Sequence, residues 1–334
     1  LHDALPILEG LAWDEIYLVR VCVVLGELAS HDPGGQWANR PINSIATTLL
    51  PWFPQTLAPI EKRKVAVQTL NREWPGIGWK LIIQLLPNQF QTTVGAHKPT
   101  WRKTIPEDWE EGTTQKDHWD HVSFYAEVAV SSADHDLEKL AELVDHFDDL
   151  PKSAFDQLLE VLASDAISGI PEDQRLPIWD HLTKFTAKHR KFAEANWALP
   201  DDLVTSIEAI ADKLAPTAPF NLYQHLFSDR DHDLFDEKGN WEEQKRRLDE
   251  RRDKAIMEIF QQGGTDAVIQ FARAVASPEQ VGYALGSMSE TSIEQVLFPE
   301  YLDSEDKKLT LLSGGFVWRR HHDKGWTWSD HQDR

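Results

Sequence analysis

Apolar residues recur at helical spacing along almost the whole chain, and this most constrains what it can fold into. Leu137, Leu140, Ala141, Val144 and Phe147 follow i, i+3, i+4, i+7 and i+10. Phe155, Leu158, Leu159 and Leu162 repeat the pattern, as do Val204, Ile207, Ala211 and Leu214. In Leu248, Arg252, Ala255 and Ile259 an arginine stands within the stripe, where its methylene stem can lie along apolar neighbours. Asp and Glu fill the opposite faces, so each segment buries one stripe and solvates the rest. A sheet needs period-two alternation, and none is bounded by turn signals. Its nearest approach, Phe124 to Val130, also fits a helix through Val122, Ala126 and Ala129.

The start and stop signals agree. Ser277-Pro278 places a capping hydroxyl before a proline at the first helical position, and Ser153 and Thr265 are further cap candidates. Pro151, Pro171 and Pro200 separate periodic segments, and Gly263-Gly264 can end a helix. The expected fold is all-α, with about twelve to fourteen helices of ordinary length in an irregular helix-hairpin, solenoid-like array or two helical lobes. No fixed repeat period is visible. The expected organisation is 1–7 as an artefact outside the fold, 8–103 as an N-terminal helical lobe with a segment rich in Trp and Pro, 104–215 as acidic helical repeats, and 216–334 as a C-terminal helical region. The irregular stretch Gln91 to Gln115 marks a long loop or a boundary between lobes. Further breaks lie at Pro216 to Pro219 and at Ser228 to Gly239.

Charge narrows the function classes. The formal net charge is −21. Residues 1–106 carry 10 basic against 8 acidic side chains, residues 107–165 carry 3 against 17, and residues 166–334 carry 21 against 30. The central block reads as a solvated helical face, and the whole argues against phosphate-backbone binding. Val19 to Leu28, the longest apolar run, contains Arg20 and is far too short to span a bilayer. The single cysteine, Cys22, sits in that run and reads as a buried core residue. One cysteine allows no internal disulfide and suits a reducing cytoplasm.

Two resemblances bear on origin. Leu1 to Ile7, LHDALPI, resembles the translated end of a sequencing adapter, and the chain begins with Leu. It therefore reads as a metagenomic fragment whose first seven residues should only extend the first helix. The second resemblance rests on Leu28 to Pro87: His31-Asp32-Pro33-Gly34-Gly35-Gln36-Trp37-Ala38-Asn39-Arg40-Pro41, Asn43-Ser44, Leu50-Pro51-Trp52-Phe53-Pro54-Gln55-Thr56, Gly78-Trp79-Lys80-Leu81 and Leu85-Leu86-Pro87. This run resembles a segment of large bacterial P-loop proteins of the STAND class, multidomain NTPases linked to anti-phage defence. The likeness covers residues 8–103 best and extends loosely through Leu222-Tyr223-Gln224-His225-Leu226-Phe227-Ser228. It implies a C-terminal helical-repeat arm that recognises a foreign trigger, usually a protein. ATP would then be bound upstream, with no cofactor in this piece, and no GxxxxGK[ST] loop occurs in the chain.

The residues offer three readings of function. In the first, a non-catalytic scaffold or sensor recognises a protein partner through Trp37, Asn39, Arg40 and Trp52. Aromatic residues beside an arginine are the usual anchors of interfaces. The structural alternative packs Trp37 and Trp52 between helices, with indole N–H groups bonded to carbonyls, and makes Asn39 a turn residue. In the second, His118 and His121 share a helical face and begin a metal-dependent hydrolase site, although spacing fixes no third ligand. In the third, the Trp-rich stretch from Trp37 to Trp119, with Lys98, Arg102 and Lys103, stacks single-stranded bases. His321-His322-Asp323 reads as a polar tail, and Ser313-Gly314-Gly315 as a turn. No membrane contact is expected.

Overall fold

A computed structural model describes residues 4–35, 37, 39–88, 91–93, 95–100, 105–106, 112–228, 240–288 and 292–329, with the side chains of Ser292, Pro299 and Ser329 excepted. Every regular element among these residues is helical. The chain divides into two compact units, Leu1–Ile167 and Ser168–Arg334.

The first unit holds α1 (Leu5–Ala12), α2 (Leu18–Ser30), α3 (Pro41–Leu49), α4 (Ile60–Glu73), α5 (Pro75–Leu85), α6 (Gln115–Ala133), α7 (Leu137–Val144) and α8 (Lys152–Ala163). α2 packs against α1, α3 and α4, and α6 packs against α4, α5, α7 and α8. The short α9 (Asp165–Ser168) straddles the division between units. The second unit holds α10 (Glu172–Lys191), α11 (Asp201–Leu214), α12 (Pro219–Leu222), α13 (Trp241–Ala274), α14 (Pro278–Gly286), α15 (Ser292–Glu300), α16 (Lys307–Lys324) and α17 (Trp326–Ser329). Its core gathers Phe227, Ile256, Phe271, Leu285, Leu312 and Phe316. Three of the seventeen helices described, α9, α12 and α17, are only four residues long. The longer ones thus reach the upper end of the expected number.

The stripes read from the sequence are the buried faces: Leu140, Ala141, Val144, Phe155, Leu158, Leu162, Val204, Ile207, Ala211 and Leu214 are all buried. Pro151, Pro171 and Pro200 each stand at the N-cap of the helix that follows. Inside α13 the backbone leaves helical geometry at Gly263 (φ −148°) and Gly264 (φ 64°), the two glycines expected to end a helix. Gly264 takes a left-handed conformation that a side chain would strain.

Five expectations are corrected. The division falls after Ile167, inside the span 104–215, and not in Gln91 to Gln115, because α6 packs directly on α5 and α4 across that stretch. Ser153 lies inside α8, one residue past its start, because Pro151 caps the helix and Lys152 opens it. Ser277 is the N-cap residue of α14 with Pro278 opening the helix, as expected, but its hydroxyl donates to the Ser228 carbonyl (2.9 Å) and makes no capping bond. Ser313-Gly314-Gly315 is no turn: it lies within α16, where Gly315 meets α14 at backbone distance. Leu5 opens α1 fully buried, while Ile7 is exposed, so this segment contributes to packing through Leu5. Arg252 also goes further than laying its stem along the stripe. It is buried to the tip, where Nε donates to the Leu226 carbonyl (2.8 Å) and Nη1 to Gln280 Oε1 (3.2 Å).

Candidate functional site

The loop between α2 and α3 carries three of the four partner-binding candidates. Asp32 organises it. One carboxylate oxygen accepts the Gly34 N–H (3.1 Å) and the other accepts Arg40 Nε (2.7 Å). Arg40 also donates through Nη1 to the Gly35 carbonyl (3.2 Å). Gly34 (φ 88°) and Gly35 (φ 115°) both hold left-handed backbone, which explains the paired glycines. The Arg40 hydrogen bond, followed by the Gly34 N–H, keeps the Asp32 carboxyl below the usual carboxylate range. Arg40 itself is extended (φ −129°, ψ 149°), as its place before Pro41 requires, and it is the N-cap residue of α3.

On this pinned loop Trp37 is 76% exposed, and Asn39 is exposed beside it. The reading of Trp37 as a wedge between helices is therefore corrected. The Asp32–Arg40 pair makes the loop hold itself together, leaving the indole outside. Trp52 differs. It stacks on Phe53 (5.8 Å between ring centroids) and donates its N–H to Gln91 Oε1 (2.8 Å), the carbonyl of a side-chain amide. Gln91 in turn donates to the Gln84 carbonyl and lines a cleft of about 600 Å³ with Asn43, Thr47, Ile83 and Thr93. So the structure brings Trp37, Asn39 and Arg40 together and ties Trp52 to the wall of the cleft. Asp32 and Gln91 were missed from sequence. An Asp eight residues before an Arg across a Gly-Gly turn was the available signal for the first.

His118 and His121 stand near the start of α6, whose N-cap Thr114 accepts the Asp117 N–H (3.1 Å). His121 is buried, and its Nδ1 lies 2.8 Å from the Asp117 carbonyl. A carbonyl only accepts, so Nδ1 carries the proton and Nε2 presents a bare lone pair. That Nε2 is buried without a hydrogen-bond partner. Burial, followed by the Arg63 charge, pushes the imidazole down to about 4, so it is neutral at pH 7. His121 lines a cleft of about 580 Å³ with Arg63, Asp117, Thr113 and Thr114. Arg63 donates to the carbonyls of Ala58 (2.7 Å) and Thr56 (3.4 Å). Nothing in the sequence spacing pointed to Arg63, which lies 58 residues before His121. His118 turns its ring to Trp119 (5.2 Å). Among the described residues no three His, Cys, Asp or Glu side chains gather to hold a metal ion.

The tryptophans of the 37–119 stretch do not share one surface. Trp79 is buried and donates to Glu142 Oε2 (2.6 Å), whereas Trp119 is exposed. Trp101 and Trp109, with Arg102 and Lys103, lie outside the described residues. Cys22 is buried, and desolvation pushes its thiol up to about 12, which leaves no thiolate at neutral pH. Among the described residues no helix is long and apolar enough to cross a membrane. No family model matches the chain, and no curated protein or solved structure matches it either.

Proposed function

We propose that this chain is a non-catalytic helical scaffold or sensor region that recognises a protein partner through the Trp37 loop. The carrying observation is the 76% exposure of Trp37 on a loop held by Asp32, Arg40 and two left-handed glycines. An exposed indole on a pre-ordered loop loses little conformational entropy on binding and offers a large apolar surface, the combination that makes interface anchors. The acidic balance supports a protein partner over a nucleic acid. The parent, on the resemblance of residues 8–103, would be a cytoplasmic bacterial NTPase of the STAND class acting in defence, with ATP bound by a domain outside this chain.

A photoreactive residue placed at position 37 tests the recognition reading, with the same residue at the exposed Trp197 as reference. A discrete cross-linked protein at position 37, absent at 197 and lost when Asp32→Ala frees the loop, is the expected result. Identical products at the two positions sink the reading. Sequencing the locus upstream of Leu8 tests the parent separately: a continuing frame with a GxxxxGK[ST] loop is expected, and a frame without one overturns the NTPase assignment.

A further inference from the structure

The cleft beside His121 combines donors and acceptors in an arrangement that selects a ligand chemistry. Two helices begin at its walls. Pro59 and Ile60 open α4 on one side, and Thr113 and Thr114 precede α6 on the other. The N–H groups of Lys62 and Arg63 bond the Pro59 carbonyl and those of Asp117 and His118 bond Thr114, and both helix dipoles place positive potential at this end. Arg63 adds a full positive charge on the same wall. The Thr114 oxygen accepts the Asp117 N–H, and its own O–H is a further donor on a residue of the cleft wall. These features alone describe an anion site.

Two further groups make the site more selective. His121 is 1% exposed, lines the cleft and has no partner for Nε2, which its Nδ1 bond to the Asp117 carbonyl fixes as an acceptor. The Asp117 carboxylate lines the same cleft and also only accepts. A fully deprotonated oxyanion would set oxygen lone pairs against both. An oxyanion that still carries a proton can instead donate its O–H to one of them while its other oxygens face Arg63 and the positive ends of the two helices.

We propose that this cleft binds a tetrahedral oxyanion that retains a proton at neutral pH, inorganic phosphate, and rejects sulfate there. The charged groups facing His121 are Arg63 and Lys64 from α4 and Asp117 from its own helix, with the Tyr125 ring 5.8 Å away. The two cations oppose protonation of the ring in the empty site, and burial opposes it more. Sulfate carries no proton at pH 7, so seating it requires protonating His121 first. That requirement relaxes by on the order of a hundredfold between pH 7 and pH 5. Phosphate brings its own proton and changes only a few-fold over the same range.

The test titrates the intact chain with inorganic phosphate and, separately, with sulfate at both pH values, following the imidazole nitrogens of ¹⁵N-histidine-labelled protein. Exposed His31 reports non-specific ion effects. The expected result is a saturable phosphate-dependent shift at His121 but not His31 at pH 7. Sulfate should be at least about tenfold weaker there and nearly equal at pH 5. Arg63→Gln should weaken phosphate by about tenfold or more. Equal phosphate and sulfate binding at pH 7, or only a linear drift shared by His31, overturns the proposal, as does undiminished phosphate binding by folded Arg63→Gln. If that variant does not fold, the wild-type comparison decides alone.

Discussion

Trp37 and His121 show opposite outcomes of reading single residues. The sequence around Trp37 has every turn signal, and Asp32, Gly34, Gly35 and Arg40 are all used as their chemistry suggests. Exposure of the indole was not legible, because apolar character is the same whether a loop folds inward or supports itself. His121 was legible as half of a pair but not as a buried neutral base, since burial first, and then Arg63 on another helix, set its environment. Its burial has a pH consequence. The folded-state value lies near 4 and the unfolded value near 6.5, so the unfolded chain binds the proton more readily. Stability from this group is complete above pH 6.5 and is lost as pH falls from 6.5 through 4. The loss amounts to roughly 2–3 kcal/mol. In phosphate-free buffer, thermal melts at pH 7 and pH 4.5 should therefore separate wild type more than His121→Gln. Equal pH sensitivity of the two proteins would show that His121 is not desolvated in the folded state.

Among the helices, the pair α14 and α16 rests on glycine contacts. A Cβ at Gly282 would meet the Leu312 carbonyl oxygen at 1.8 Å, and one at Gly315 would meet the Glu279 oxygen at 2.0 Å. Both obstacles are backbone, so the helices would have to separate. Gly314, one residue from Gly315, faces open space with nothing within 4 Å. The two neighbours should therefore respond with opposite signs. Gly315→Ala should cost about 3 kcal/mol or more, and Gly314→Ala should gain about 0.5–1 kcal/mol from restored helix propensity. Chemical denaturation of the two variants checks this, and a harmless Gly315→Ala would mean that the helices are not in backbone contact. The same contrast marks what sequence pattern can and cannot convey. The stripes of α8 and α11 were readable because leucine and valine announce a buried face through spacing alone. In α16, Ser313-Gly314-Gly315 looked like a turn because glycine has no side chain to carry the pattern. Its role depends on a partner helix some thirty residues away.

The whole chain divides differently from its composition. The 17 acidic side chains between 107 and 165 mark a change in charge, but a charge boundary on solvated faces need not be a packing boundary. α6 carries three of those acidic side chains, Asp117, Asp120 and Glu127, while Val122, Tyr125, Ala126, Ala129 and Val130 join it to the helices before it. The division after Ile167 follows the buried contacts instead. Each unit has a length at which a single core can bury enough surface to fold alone. The core from Leu226 to Phe316 lies wholly within the second unit, while the Trp37 loop and both clefts described here lie wholly within the first. Residues 168–334 expressed separately should thus give a helical circular dichroism spectrum and one cooperative thermal transition. Residues 1–167 should do the same and keep the pH response assigned to His121. A second fragment that melts without cooperativity, or a first that loses the His121 response, would mean that the units complete each other's cores and that the division is one of contact density only.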